Sequence, residues 1–391
     1  MAEPARAPPR IDVLIPVYNA AATVESALAS IQAQTVRDIR IVVVNDGSTD
    51  DSRAIVAALA ERDDRIVLLD RPNGGVVDAL NAGLAACSAE FVARHDADDL
   101  AVPERFQRQL DWFAAHPDCD AVSGAIIHID DRGRDISPVI RVPSPDAADP
   151  LRYPQREPYL VHPFLMVRRL AVHAVGGYRH VYHAEDTDLY WRMQETGGIA
   201  NMEALLGRYR VHAQSVTSLS TLNGRIAAMS SQLCGISALR RRAGRPDIAF
   251  PRAAIGEYQA ARTLAGIVHL GARGLDADET CRLTVAAAAK LLEIASYRAY
   301  EIDREDCAFI RHAIQAKLPS MTAKNRAMAI RQISGTAARL AAQGSFGNAR
   351  LLCPPGLIPV AIVRLVLRVA LPPSLRQILR TKLSGRSVNA K

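Results

Sequence analysis

The stretch FVARHDADDLAVPERF, residues 91–106, follows an apolar run with three carboxylates, Asp96, Asp98 and Asp99, inside four positions. Like charges this close repel and shift each other's pKa, so the arrangement calls for a cation or a strong local partner. Hard carboxylate oxygens suit Mg2+ or Mn2+, which bind through one or two carboxylates while substrate phosphates complete the shell. Three acids here therefore fit a divalent ion carrying a diphosphate. The competing use is helix capping: a helical pattern opens at Pro103, and its positive end could take one acid but hardly three.

D-x-D spacing decides nothing alone, because the chain repeats it as DCD at 118–120, DTD at 186–188 and DAD at 276–278. Asp118 and Asp120 follow Pro117 and read as a turn. Asp276 and Asp278 follow Gly274 and read as the start of a helix. Asp96 differs in ending an apolar strand of a βα unit, and in open α/β sheets ligands bind beyond the carboxyl ends of the strands. Two other strand ends carry polar turns: PVYNA, with Pro16, Tyr18 and Asn19, and NDGSTD, with Asp46. Asp46-Gly47-Ser48 is ordinary turn chemistry taken singly. Three such turns on one rim make a binding site, with Tyr18 able to lie against a base.

The elements that must position these turns alternate along the first hundred residues. IDVLI (11–15), IRIVVVN (39–45), IVLL (66–69) and FVARH (91–95) are β-rich, and each is followed by a helical pattern. This βαβα order predicts an α/β fold with a mostly parallel sheet flanked by helices. VSGAIIHI (122–129) predicts a further strand, and the Pro-rich stretch after it a long functional loop or lid. From Met229 onward Ala, Leu and Arg dominate, which predicts an α-helical C-terminal region. The expected division is an unstructured 1–10, a catalytic domain over 11–220, helices over 221–350 and a basic amphipathic tail over 351–391.

With 391 residues, 49% of them hydrophobic and 23% charged, the chain has material for a large core. The net charge of +7 is unevenly spread: residues 307–391 contain 14 Lys and Arg and no acid, so residues 1–306 sum to −7. Six cysteines without a CxxC pair read as free thiols of a reducing compartment. The opening MAEPARAPPR lacks an apolar core, so no secretory signal is expected. Near the end, LLCPPGLIPVAIVRLVLRVALPP is broken by Pro359, Arg364 and Arg368. Each central Arg costs about 2.5–3.5 kcal/mol on insertion scales, which disfavours a spanning helix. A helix lying at an anionic membrane surface fits; a core helix with its two arginines exposed is the alternative. Nucleic acid is not expected as a partner, since residues 307–391 offer only Phe309 and Phe346 for stacking.

Read in order, IDVLIPVYNAAATVESALASIQAQ, IVVVNDGSTDDS, NGGVVDALNAGLAACSAEFVARHDADD, PERFQRQLDWFAAHPDCDAVSG, HPFLMVRRLAVHAVGGYR, AEDTDLYWRM and RYRVHAQSVTS resemble the motifs of family 2 glycosyltransferases, inverting enzymes of GT-A fold. The likeness covers about residues 10–218. It implies that Pro16, Tyr18 and Asp46 surround a nucleoside, with Asp46 accepting a base N–H, and that Asp96 lies near the ribose or behind the metal ligands. It implies that Asp98 binds Mn2+ or Mg2+ with Asp99 in support, and that Asp186 is the general base with Glu185 beside it. For Asp186 the residues alone also allow an N-cap of the helix TDLYWRMQE. Trp191 is a candidate floor for the acceptor, although core packing is the ordinary use of such a residue. His212 is a candidate metal or phosphate ligand, and Arg208 and Arg210 candidate phosphate contacts.

The resemblance implies transfer from a nucleotide-diphosphate sugar to a glycan or lipid-linked acceptor, while the charge and pattern of the basic tail, outside the resemblance, place the enzyme peripherally on the cytoplasmic face of a membrane. A nucleotidyltransferase or a Rossmann dehydrogenase would want a Gly-rich phosphate loop after the first strand, where PVYNA stands. A non-catalytic nucleotide-sugar-binding scaffold is the other alternative.

Overall fold

Each apolar run becomes a strand of one eight-stranded sheet in the computed structural model, which describes residues 9–211, 220–297 and 302–370. The strands are β1 (Ile11–Val17), β2 (Ile39–Asp46), β3 (Ile66–Arg71), β4 (Phe91–Arg94), β5 (Leu100–Ala101), β6 (Cys119–Ile129), β7 (Met166–Arg168) and β8 (Gly198–Arg210), in spatial order β3-β2-β1-β4-β7-β6-β8-β5. The strands β3, β2, β1 and β4 run parallel. β7 is antiparallel to β4 and β6, β6 and β8 are parallel, and β5 closes antiparallel on β8. The helices between them are α1 (Val24–Gln32), α2 (Ser52–Ala60), α3 (Val76–Ala86), α4 (Arg105–Ala115), α5 (Arg169–Ala174) and α6 (Glu185–Thr196).

The sequence of β1 explains its central place. Ile11, Val13 and Ile15 join one core with Val24 and Leu28 of α1 and Phe106 and Phe113 of α4. Leu14 points to the other face and joins Val42, Leu80 of α3 and Leu189 and Met193 of α6. A strand apolar on both sides must be covered on both, which only a helix-flanked sheet provides. The expected parallel βαβα order is present. β5, β7 and β8 are additions to it.

The described residues fall into two units, the first holding 9–148, 157–211 and 237–252, the second 149–156, 220–236, 253–297 and 302–370. The second is helical, as expected from its Ala, Leu and Arg content: α7 (Thr221–Arg242, shared with the first unit), α8 (Ala254–Ala261), α9 (Leu264–Gly271), α10 (Ala277–Tyr297), α11 (Arg304–Lys317), α12 (Ala323–Ala342), α13 (Phe346–Leu352) and α14 (Ile358–Ala370). Asp276 caps α10 as the sequence predicts: its side chain accepts from Glu279 N at 2.9 Å, and Glu279 accepts from Asp276 N at 3.1 Å. Arg225 of α7 is held by Asp306 at 3.0 Å and by Asp303. None of the six cysteines forms a disulfide. Among the described residues no single helix is long and apolar enough to cross a membrane.

Candidate active site

The carboxyl ends of β2, β1 and β4 lie side by side, so the three turns singled out in the sequence share one edge. The first two are knitted together. Asn19, at φ 50, accepts from Thr49 N at 2.8 Å, and Ser48 Oγ accepts from Asn19 N at 3.1 Å. Asn is among the few residues that tolerate this left-handed backbone cheaply. Ala21 N donates to Asp50 at 3.0 Å, and Ala20 N donates to Ser52 at 2.7 Å. Tyr18 is left 53% exposed, an aromatic face open to solvent, with half-buried Pro16 before it.

Asp46 ends β2 almost buried and collects three donors: Arg71 Nη1 at 2.5 Å, Gly74 N at 3.0 Å and Gly75 N at 2.8 Å. It therefore shapes the NGG turn. A carboxylate has about four lone-pair positions, so one remains for an incoming N–H. Gly47 follows at φ 69, and a Cβ there would sit 2.7 Å from Asn73 N. Only glycine allows these two turns to close on each other.

Beyond β4 the three acids stand together, with one oxygen from each of Asp96, Asp98 and Asp99 within 4.8 Å of the others. Their surroundings differ. Asp96 pairs with Arg94 at 2.5 Å. Asp98 is partly exposed. Asp99 is fully buried: Oδ1 accepts from Arg210 N at 2.7 Å, and Oδ2 has no partner among the described residues. Burial, with Asp96 and Asp98 adding to it, pushes the Asp99 carboxyl well above its usual range. An orphaned buried oxygen within reach of two further carboxylates is the donor set of a hard divalent cation, so the residues fit Mg2+ or Mn2+.

The turn is braced from beneath. His95 is buried, with Nε2 3.2 Å from Asp99 O and Nδ1 3.2 Å from Arg105 Nη1. Arg105 also donates to Arg94 O at 2.7 Å. Burial beside two arginines keeps His95 neutral, so it holds the turn and carries no charge to a phosphate. Arg210 is spent likewise, donating to Asp98 O at 2.8 Å and to Asp130 O at 2.9 Å. Arg208 pairs with Asp135 at 2.9 Å. Arg210 is thus used in placing β8 against the acid turn, and Arg208 in pairing β8 with the loop after β6.

The second acidic group opens α6. The N-cap is Ala184, and Glu185 and Asp186 lie in the first turn, so Asp186 is not the cap that its sequence position allowed. Asp186 Oδ1 accepts from Thr187 N at 2.6 Å. Burial pushes the Asp186 carboxyl up, and Glu157 adds to the rise. Burial and the charge of Asp186 lift Glu185 to about 7. Two carboxyls with raised proton affinity in one turn suit a group that takes a proton.

Asp188 is fully buried and serves the frame. It accepts from Arg192 at 2.7 and 2.9 Å and from Arg179 at 2.9 Å, fixing the start of α6 to the GGYR turn. Breaking such a buried pair costs about 3–5 kcal/mol. Trp191 is a correction to the acceptor-floor expectation: it is 0% exposed, with Arg242 5.3 Å from its ring centroid. A side chain closed on every side offers no surface to an acceptor. His162 sits in a turn before β7, 2.8 Å from the Tyr178 hydroxyl. His212 lies outside the described residues.

Two residues that sequence reasoning missed tie the groups together. Arg94 is 7% exposed, and its Nε and Nη1 have no partner among the described residues. Its charge acts on Asp96 and Asp99 on one side and on Glu185 and Asp186 on the other. Glu157, from the Pro-rich stretch, acts on Asp186. Nothing local in the sequence links positions 94, 157 and 186. A shallow depression lined by Gln194, Glu195, Arg241 and Arg242 lies at the other end of α6, bridged by Arg241–Glu195 at 2.6 Å, and is no part of this edge.

The family model Glycosyl transferase family 2 matches residues 12–176, which include Asp46 and Asp96–Asp99 and stop short of Asp186. The amylovoran biosynthesis glycosyltransferase AmsE of Erwinia amylovora is 30% identical over 208 residues, 52% of this chain and 77% of that protein. The chain belongs to glycosyltransferase family 2. It is similar also to the chondroitin synthase of Pasteurella multocida, 24% identical over 216 residues, though these span only 22% of that longer protein. The solved structure of S. aureus TarS 1–349 in complex with UDP-GlcNAc covers 86% of this glycosyltransferase and 93% of its own chain, with TM-score 0.52 and 16% identity. That likeness shows the GT-A fold.

Proposed function

We propose that this glycosyltransferase moves a sugar from a nucleotide-diphosphate donor to a growing glycan or lipid-linked acceptor, inverting the anomeric carbon. The observation that carries the reading is the pairing of two acidic groups with opposite demands. Asp96, Asp98 and Asp99 gather more negative charge than they can satisfy among themselves, while Glu185 and Asp186 have raised proton affinity, and Arg94 acts on both. Polysaccharide synthesis as the setting draws support from the names of the relatives in Erwinia and Pasteurella.

Asp98, with Asp99 and Asp96 in support, would hold Mg2+ or Mn2+. When bound, that ion supplies positive charge to the departing diphosphate. Tyr18, Pro16 and the free lone pair of Asp46 would receive the nucleoside. Asp186 takes the proton from the acceptor hydroxyl, which attacks the sugar carbon opposite the leaving group. No covalent sugar–enzyme intermediate is required. The test is a donor-hydrolysis screen of uridine, guanosine and thymidine diphosphate sugars. One base is expected to be hydrolysed with Mn2+ present and spared with a chelator; no hydrolysis of any donor, or hydrolysis indifferent to chelation, overturns the reading. Work at the cytoplasmic face of a membrane belongs to the same proposal.

A pH dependence follows. A base works deprotonated, so a raised carboxyl pKa means that kcat/KM is lost as pH falls through that raised value. Glu157 contributes to the rise. Glu157→Gln is therefore expected to move the acid limb of kcat/KM to lower pH. An acid limb that stays in place or moves up counts against Asp186 as the titrating base.

A further inference from the structure

The last described helix is turned inside out. In α14 the aliphatic residues face solvent: Ile362 is 54% exposed, Val363 58%, Val366 57%, Leu367 47% and Val369 72%. Arg364 and Arg368 are only half-exposed, along the side that also carries Ala361 and Leu365. That side is the one set against α12 of the same unit. Burial, and then the nearby charge of Arg331, lowers the pKa of Arg364, consistent with a guanidinium turned inward. The expected alternative, a core helix with its arginines outward, is thus reversed. A surface helix normally buries its apolar stripe and wets its charged one. Here the apolar arc from Val369 to Leu367 spans about 160° of the helix, counted at 100° per residue, and is left without a partner among the described residues.

What covers it must be apolar in depth and anionic at its surface. Across α12, α13 and α14 there is no Asp or Glu, while Lys324, Arg326, Arg331, Arg339, Arg350, Arg364 and Arg368 all lie in residues 323–370. A second copy meets this test poorly, because a two-fold interface would set this basic surface against itself. The chain's own residues 371–391 meet it no better, since they too carry five Lys or Arg and no acid. Nucleic acid supplies the charge but no aliphatic interior, and Phe346 is the one aromatic in these three helices. We infer that the exposed face of α14 inserts into the headgroup boundary of an anionic lipid bilayer, with the acid-free helices α12–α14 supplying the electrostatic attraction. The inference deepens the membrane placement proposed above and is independent of the donor chemistry.

Sedimentation of the full chain with vesicles of equimolar phosphatidylglycerol and phosphatidylcholine tests it. Binding is expected, at least about tenfold weaker to pure phosphatidylcholine, since each basic residue near an anionic surface adds to the attraction. Val363→Asp with Val366→Asp should abolish it, and Val363→Ser with Val366→Ser should weaken it should the charged pair disturb folding. Both variants are expected to retain donor hydrolysis, which separates failure here from failure of the proposed activity. Wild-type protein left in the supernatant, or variants that bind as wild type does, overturns the inference. So does binding gained only when residues 371–391 are removed, which assigns the face to that segment, or a dimer that the variants dissociate without any vesicle binding. Residues 346–352 and 355–370 also form a pair bent by 108° with enough apolar length to span together. Wild-type protein that resists a carbonate wash would show such an insertion and overturn the surface-lying helix.

Discussion

Asp186→Asn lowers kcat by about 10²- to 10⁴-fold, the usual contribution of a positioned general base, while donor affinity stays at the wild-type level. The substitution keeps the shape of the side chain and an oxygen that still accepts from Thr187 N, a contact of 2.6 Å in the structure. What it removes is basicity. If Asp186 acted only on the positive end of α6, its loss would cost about 0.3–1 kcal/mol of stability and leave turnover within several-fold. Single-turnover transfer, with calorimetry of donor binding beside it, separates these cases. Glu185→Gln is the comparison that guards the assignment. Glu185 is held at about 7 by burial and by Asp186, so near neutrality the turn retains part of a proton, and removing Glu185 frees Asp186 of a like charge. Glu185→Gln is expected to be milder than Asp186→Asn. The opposite order transfers the role of base to Glu185.

The parallel half of the sheet was legible because strands buried on both faces read as unbroken apolar runs, and each of IDVLI, IRIVVVN, IVLL and FVARH became a strand. β7 was not legible: three residues, Met166–Arg168, carry no period. β8 hides for another reason. Its pairing with β6 shifts register near Gly124 and Ala125, so the alternation of GIANMEALLGRYR breaks where a period-two reading needs it. Among the site residues, the carboxylate groups declared themselves by crowding, since charge density is visible in one dimension. Their counter-charges did not. Asp46 draws on Arg71, Gly74 and Gly75 across a whole helix, and Asp99 on Arg210 over a separation of 111 residues. Trp191 and the arginines of α14 show the converse failure: a helical pattern gives the faces of a helix but not which face turns inward.

Asp98→Ala abolishes manganese-linked nucleotide binding and lowers turnover by at least about 10²-fold, since a bound cation contributes several kcal/mol to stabilising the departing charge. Of the three acids Asp98 is the cleanest probe. Removing Asp96 would strand Arg94, a buried guanidinium already short of partners, and the resulting loss would mix folding with chemistry. Removing Asp99 would free Arg210 N and loosen β8 from the turn. Asp98 is partly exposed, so its truncation leaves the frame of Asp99, His95 and Arg105 standing. The expected result is an unchanged melting curve without metal, together with loss of the extra stability that Mn2+ and nucleotide confer jointly on the wild type. Asp99→Asn provides the second half of the argument, because Asn still accepts from Arg210 N but brings a neutral amide to the position of the orphaned Oδ2. If that oxygen is a ligand, Asp99→Asn weakens the metal-linked affinity while thermal stability holds. If Asp98→Ala binds Mn2+ and nucleotide as the wild type does and turns over as fast, the acid cluster is not a metal site and the proposed chemistry falls with it.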